Sequence, residues 1–246
     1  MTALVTGGGT GIGRAVAEAL ARLPGPDGRG HSVAVAYSRS ADDAAATVEA
    51  IRAAGGTAEK FRADVTDDDA VRGLVEDVRG SLGPVSVLVN NAGGTEHIAL
   101  DDLEAVDDEV FERLFRLNTM SAWHCTRAAA DDLRTAEDGC VVNVGSASVT
   151  SGRGSSVPYV VSKAALSGLT RALANALAPV RVNEVWPGLV LTRWWAGQEE
   201  QGRALAAKAI VGRETTVEDV AAVVVGLVTS RAITGQTITV DGGQNL

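Results

Sequence analysis

At 246 residues the chain is long enough for one large α/β domain, and 46% hydrophobic against 22% charged residues gives it core material without the composition of a disordered chain. A formal net charge of −9 argues against nucleic acid as the main partner, because phosphate binding needs a basic face. No apolar run reaches the ~18 residues of a membrane span, and the first residues lead straight into a strand, so we expect a soluble cytoplasmic protein with no signal peptide and no membrane partner.

In chain order, a strand over 3–6 runs into a glycine-rich turn and a helix over 12–23. Pro24–Gly30 reads as a turn-rich insertion before the second strand, Ser32–Tyr37. A helix over 41–53, a strand over 57–62, a helix over 68–79 and a strand over 85–90, continuously apolar at Val87-Leu88-Val89, follow. One long helix is expected over 106–133, then a strand over 140–144, a helix over 159–177 and a strand over 181–185. Leu189–Gly212, which carries Trp194 and Trp195, reads as a flap outside the sheet. A helix over 217–229 and a strand over 237–240 close the chain. Regular βαβ alternation with no repeat or composition break predicts a single-domain α/β Rossmann fold, residues 1–246, with a seven-stranded parallel sheet and helices on both faces. Cys125 and Cys140 have no partner spacing and are expected as reduced buried thiols. His31, His97 and His124 are scattered, and no metal site is expected.

Thr6-Gly7-Gly8-Gly9-Thr10-Gly11-Ile12-Gly13 stands directly after the first strand and opens the first helix. Glycines allow a tight turn and close backbone approach to a pyrophosphate, and the helix N-terminus offers free N–H groups and a positive dipole end. Gly7, Gly9, Thr10, Gly11, Ile12 and Gly13 are therefore candidate cofactor contacts. The spacing is TGxxxGxG, not GxGxxG. Ligands of doubly wound sheets lie beyond the carboxyl ends of the strands, and Gly7, Asn90, Ser146 and Pro187 each follow such an end.

Together with Asn90-Asn91-Ala92-Gly93, Asn118, Ser146, Tyr159-x-x-x-Lys163 and Pro187-Gly188 followed by Thr192, this turn makes the chain resemble the short-chain dehydrogenase/reductase family along nearly its whole length. The nearest members recognised are the 3-oxoacyl-(acyl-carrier-protein) reductases. The resemblance implies reversible hydride transfer between a nicotinamide dinucleotide and a ketone or secondary alcohol. It assigns Asp64 and Val65 to the adenine, Asn91, Ala92 and Gly93 to the cofactor cleft, and Pro187, Gly188, Val190 and Thr192 to the nicotinamide. Asp64 as a helix N-cap, and Thr192 as a cap before Arg193, are the plainer alternatives.

The second strand ends in Tyr37-Ser38-Arg39-Ser40, with no carboxylate before Asp42 to bind a ribose diol. Ser38 and Arg39 point instead to a 2′-phosphate, hence NADP(H) in preference to NAD(H). Thr10 stands where some NADP-dependent members carry a basic residue, which weakens that choice.

Tyr159 and Lys163, four apart on a helix, leave the same face. A neighbouring ammonium and the positive nicotinamide are expected to lower the phenol's pKa so that it works as acid and base. By resemblance Lys163 also holds the nicotinamide ribose, Ser146 binds the substrate oxygen and Asn118 holds a relay water. An Asn inside a helix is otherwise unfavourable. Trp194 and Trp195 suggest a bulky or hydrophobic carbonyl substrate, or simple packing. Acidic carriers dock family members through basic residues at places that read Asp131 and Asn175 here, with Asp132 adding negative charge and Arg127 and Arg171 one turn away. This favours a free or CoA-linked small carbonyl over a carrier-bound one. The family habit of packing its long helices together implies a homotetramer or homodimer, and Ala164, Leu166, Leu169, Leu173 and Leu177 are too many apolar residues for one stripe. A 3-oxoacyl-(acyl-carrier-protein) reductase proper, a non-catalytic dinucleotide sensor, a methyltransferase, and an epimerase or dehydratase are the other readings weighed.

Overall fold

The computed structural model describes residues 1–25, 28, 30–192, 200, 202 and 209–246. Seven strands form one sheet in the order β3-β2-β1-β4-β5-β6-β7: β1 (Thr2–Thr6), β2 (Ser32–Tyr37), β3 (Thr57–Arg62), β4 (Val85–Asn90), β5 (Cys140–Val144), β6 (Arg181–Pro187) and β7 (Thr237–Val240). Every neighbouring pair is parallel. The order reverses at β1, whose neighbours are β2 and β4, and the carboxyl ends of these strands are where doubly wound sheets take up ligands.

Alternation along each strand divides the core into two layers. Ala3 and Val5 of β1, Val33 and Val35 of β2, and Val87 and Val89 of β4 face one side, beneath helices α1 (Gly11–Arg22), α2 (Ala41–Ala53) and a late helix, Val217–Thr229. Leu4, Ala34, Val85 and Leu88 face the other side, with residues of α3 (Asp68–Leu82) and of two elements further along, Ser121–Ala128 and Val157–Ala176. Leu4, Leu20 and Leu88 are fully buried, each contributing about 1.5–3 kcal/mol of transfer free energy. Strands buried on both faces need apolar residues at every position, which is why β4 reads without alternation.

The helix expected over 106–133 is not continuous. It starts at α4 (Asp108–Phe115), capped by the Asp107 side chain, and passes through a π-helical turn, Arg116–Met120. It resumes as α5 (Ser121–Ala128), is interrupted at Ala129, and ends as α6 (Ala130–Thr135). The π turn inserts one residue into the helical ladder and coincides with Asn118, whose side chain is bonded across to two other segments. After β5 come α7 (Ser148–Ser151), α8 (Val157–Ala176) and, after β6, α9 (Val217–Thr229). The Ser156 side chain caps α8, with Pro158 in its first turn, and a reciprocal Thr216–Asp219 capping box starts α9. On α8, Leu166, Leu173 and nearby Leu177 are buried, so the leucines face the sheet; Val161 and Ala164 are the exposed apolar residues of that helix's first half.

Three further expectations meet the structure here. Asp132 does not add surface charge: it is 8% exposed and turns inward, accepting hydrogen bonds from Arg79 Nε at 3.0 Å and the Val85 amide at 3.1 Å. Arg127 pairs with Asp68 at 2.6 Å and lies over the Trp123 ring. Pro24 and Gly30 bridge to one another, closing the insertion near the end of α1. Among the described residues, no helix is long and apolar enough to cross a membrane.

Candidate active site

The glycine-rich turn after β1 is built for close backbone approach. Gly7 and Gly11 have φ of +63° and +52°, which favours glycine. A Cβ on Gly13 would overlap Gly7 O and Asn91 Nδ2, so only glycine lets α1 pack so near the turn. The N-cap residue, Thr10, makes no side-chain cap and the first turn of α1 holds no acidic residue, so the helix's own sequence leaves its positive end unneutralised. Gly9 is fixed from behind, its carbonyl accepting from Thr47 Oγ1 at 3.2 Å. These features fit a dinucleotide pyrophosphate.

Thr6 ties this turn to the one after β4. Its hydroxyl accepts from the Asn91 and Ala92 amides, both at 3.0 Å, and Asn91 Nδ2 donates to Thr6 O and Gly7 O at 3.0 and 3.2 Å. Ile12 is half-buried against the core. Ser38 and Arg39 are exposed beyond β2. Asp64, beyond β3, is exposed and caps no helix: its Oδ1 accepts from the Thr66 amide and hydroxyl, while Asp67 caps α3. Those two bonds, then the Arg39 charge, hold the Asp64 carboxyl below the ordinary range. Ser38, Arg39, Asp64 and the buried Val65 thus lie just beyond the carboxyl ends of β2 and β3, with the Arg39 charge bearing on Asp64. Thr192 lies against Gly11, 3.3 Å from where a Cβ would be, and Pro187 O accepts from the Ala147 amide at 2.9 Å. The Gly188 amide donates to Val240 O, and buried Val190 bridges to Thr215. Trp194 and Trp195 lie outside the described residues.

Of the four polar residues singled out for chemistry, Asn118 and Lys163 meet beside Gly93, while Ser146 bears on Tyr159 one turn before Lys163. Asn118 Oδ1 accepts from the Gly94 amide at 2.9 Å, and its Nδ2 donates to Gly94 O at 2.9 Å and to Ser162 Oγ at 3.0 Å. A Cβ on Gly93 would stand 2.9 Å from Asn118 Oδ1, close enough to displace it, and in ordinary contact with Lys163 Nζ at 3.5 Å. Tyr159 is buried, and the hydroxyl of half-buried Ser146 favours its ionised form. Lys163, 3% exposed, donates from Nζ to Val144 O at 2.8 Å.

The electrostatics differ from the expected picture. Burial pushes the Tyr159 phenol above its ordinary value, opposed by the Ser146 hydrogen bond; Lys163 is not a resolved influence on it. Burial lowers Lys163 to about 8, and the charge of Glu184 works in the opposite direction. Desolvation outweighs the anticipated charge–charge assistance. Glu184, absent from the sequence-level candidates, is fully buried on β6 behind this group. The available signal was a carboxylate inside Arg-Val-Asn-Glu-Val-Trp-Pro, in a strand covered on both faces. Ser162, which donates to Tyr159 O at 2.8 Å and receives Asn118, was also missed.

A family model described as Enoyl-(Acyl carrier protein) reductase matches residues 7–245. The chain belongs to the short-chain dehydrogenase/reductase family. Among curated members of comparable length, it is 39% identical to a Streptomyces violaceoruber protein provisionally named ketoacyl reductase 2 of the granaticin polyketide synthase, over 99% of this chain and 96% of the other. It is 32% identical to the 3-oxoacyl-(acyl-carrier-protein) reductase FabG of Staphylococcus aureus, over 98% and 97%. A Burkholderia cenocepacia short-chain dehydrogenase solved in complex with NADP superposes with a TM-score of 0.89 at 35% identity, covering 100% of this chain and 98% of that one. As a short-chain dehydrogenase/reductase, the protein is an oxidoreductase on a nicotinamide-binding Rossmann scaffold.

Proposed function

We propose that the protein is an NADP(H)-dependent ketoreductase, interconverting a ketone and a secondary alcohol with Tyr159 as the acid/base. The observation that carries this reading is the grouping of buried Tyr159, on which Ser146 bears, with buried Lys163 one helical turn on, whose Nζ is held at Val144 O near Gly93. Bound NADPH supplies the hydride. Ser146 and Tyr159 hold the carbonyl oxygen between two hydroxyls, and Tyr159 delivers the proton as charge grows on that oxygen. A phenol raised by burial stays protonated at neutral pH, which suits the reductive direction. Lys163 supplies positive charge behind the phenol. Asn118 braces the wall of the cleft through Gly94 and Ser162 and, as in the family resemblance, holds the relay water.

Arg39, exposed at the end of β2 with no carboxylate before Asp42, supports NADP(H) over NAD(H). Comparison of kcat/KM for NADPH and NADH tests it, and a clear NADH preference refutes it. The names of the relatives support 3-oxoacyl compounds as the first substrates to try. Inward-facing Asp132 also removes one of the surface charges that had weighed against a carrier-bound substrate. The central test is Tyr159→Phe: NADPH binding, followed by fluorescence, should persist while reduction of a ketone panel at 340 nm vanishes. Near-parental turnover in that variant refutes the assignment.

A further inference from the structure

We propose that Glu184 is a positioning residue whose buried carboxylate is the counter-charge that keeps Lys163 a cation behind Tyr159. The inference rests on the ketoreductase reading for its effect on turnover, and on the placement of both groups at the β5–β6 seam for the pairing itself. Strands β5 and β6 are in register with Asn143 opposite Glu184 and Val144 opposite Val185. Lys163 Nζ is held at Val144 O, so the ammonium is fixed beside the strand position that carries the carboxylate. Gly145, the residue before Ser146, provides the room: a Cβ there would overlap Glu184 Oε1 and lie 2.8 Å from Trp186 Nε1.

The carboxylate is held but incompletely satisfied. Thr237 Oγ1 donates to Oε2 at 3.3 Å, and the Ser167 hydroxyl, one turn beyond Lys163 on α8 and bonded to Lys163 O at 3.4 Å, also favours the charged form. Oε1 and the Trp186 indole nitrogen face each other without a well-formed hydrogen bond. A fully buried carboxylate with so few donors is costly in the charged form unless a cation stands near, and a buried lysine is costly for the mirror-image reason. Burial raises Glu184 and lowers Lys163, and each charge moves the other back. Among the described residues, no other charge bears on either one. Tyr159 is the other titratable group of α8 at this place, while Asn143, Asn118 and Thr237 from the neighbouring elements are neutral.

The chain contains only three lysines, Lys60, Lys163 and Lys208, so a protein labelled with carbon-13 at lysine Cε gives three signals whose pH titration can be followed directly. In the parent, the Lys163 signal should titrate near 8. In Glu184→Gln, which keeps the shape and removes the charge, it should move down by about one pH unit or more. The alkaline fall of kcat/KM for ketone reduction should move with it, giving a several-fold loss at pH 8.5 against about twofold or less at pH 6. NADPH binding and melting temperature should change little. Glu184→Met, which fills similar space without polar atoms, should give the same shift and replaces the Gln variant should that one not fold. A Lys163 titration unchanged in either variant overturns the proposal, as does a parent Lys163 already neutral at pH 7. An inactive parent, or an active Tyr159→Phe, refutes the ketoreductase reading instead, and the lysine titration still decides the pairing.

Discussion

Replacing Asn118 with Leu should destabilise the fold as well as the chemistry, by an amount the structure allows to be worked out. The side chain makes three hydrogen bonds, to the Gly94 amide and carbonyl and to Ser162 Oγ. Leucine has similar size and makes none of them. A buried polar group left without a partner costs about 1–3 kcal/mol, and Gly94 is only half-buried, so water recovers part of its share. The expected net loss is about 2–4 kcal/mol, a fall in Tm of roughly 5–15 °C for a chain of this size. Asn118→Asp sharpens the test. A protonated carboxyl can still donate one bond and accept another, whereas a carboxylate sets lone pairs against Gly94 O and Ser162 Oγ. Burial and those lone pairs raise the folded-state pKa above the unfolded one. This variant therefore binds more protons when folded, and its stability must fall as pH rises from the ordinary carboxylate range through the raised value. Urea denaturation followed by circular dichroism at pH 5 and pH 8 reads both effects. A Leu variant within about 1 kcal/mol of the parent, below the cost of a single unmet bond, refutes the bracing role. So does an Asp variant with no pH dependence beyond the parent's.

Asp132→Asn should cost about 1–3 kcal/mol in the same assay, because the carboxylate holds the Val85 amide as well as half-exposed Arg79; an unchanged midpoint would show the Arg79 pair to be inert. Cys125 and Cys140 are buried, with burial pushing their thiols up to about 12 and about 11, so a thiol reagent at pH 8 should label neither until denaturant is added. Fast labelling of the native protein would contradict that burial. Gly13→Ala should weaken NADPH binding about tenfold or more, since the added methyl overlaps Gly7 O and Asn91 Nδ2 and forces the cradle open; binding within twofold, measured by fluorescence, would mean that the turn yields cheaply.

Much of this molecule was legible before any coordinates. Apolar β-branched runs such as Val87-Leu88-Val89 are strands because nothing else buries them on two sides, whereas the capping roles of Ser156 and Thr216 emerged only with the structure. The glycine turn, Ser146, Tyr159 and Lys163 were recognisable because their chemistry depends on residue type and short spacing, which a sequence records. The break in the helix over 106–133 was not. A π turn at Asn118 is favoured by bonds to Gly94 and Ser162, 24 and 44 residues away, and no local pattern encodes those partners.

The amino-acid order alone determined the layered architecture and the glycine-rich turn and nominated Ser146, Tyr159 and Lys163 as candidates, since periodicity, glycine backbone freedom and short spacing are local properties. Only the tertiary structure decided which charges face each other. It turned Asp132 inward to Arg79, anchored Lys163 on Val144 O and buried Glu184 beside it. Such pairings depend on strand register and on how far each group is removed from water, and both are set by the packed whole.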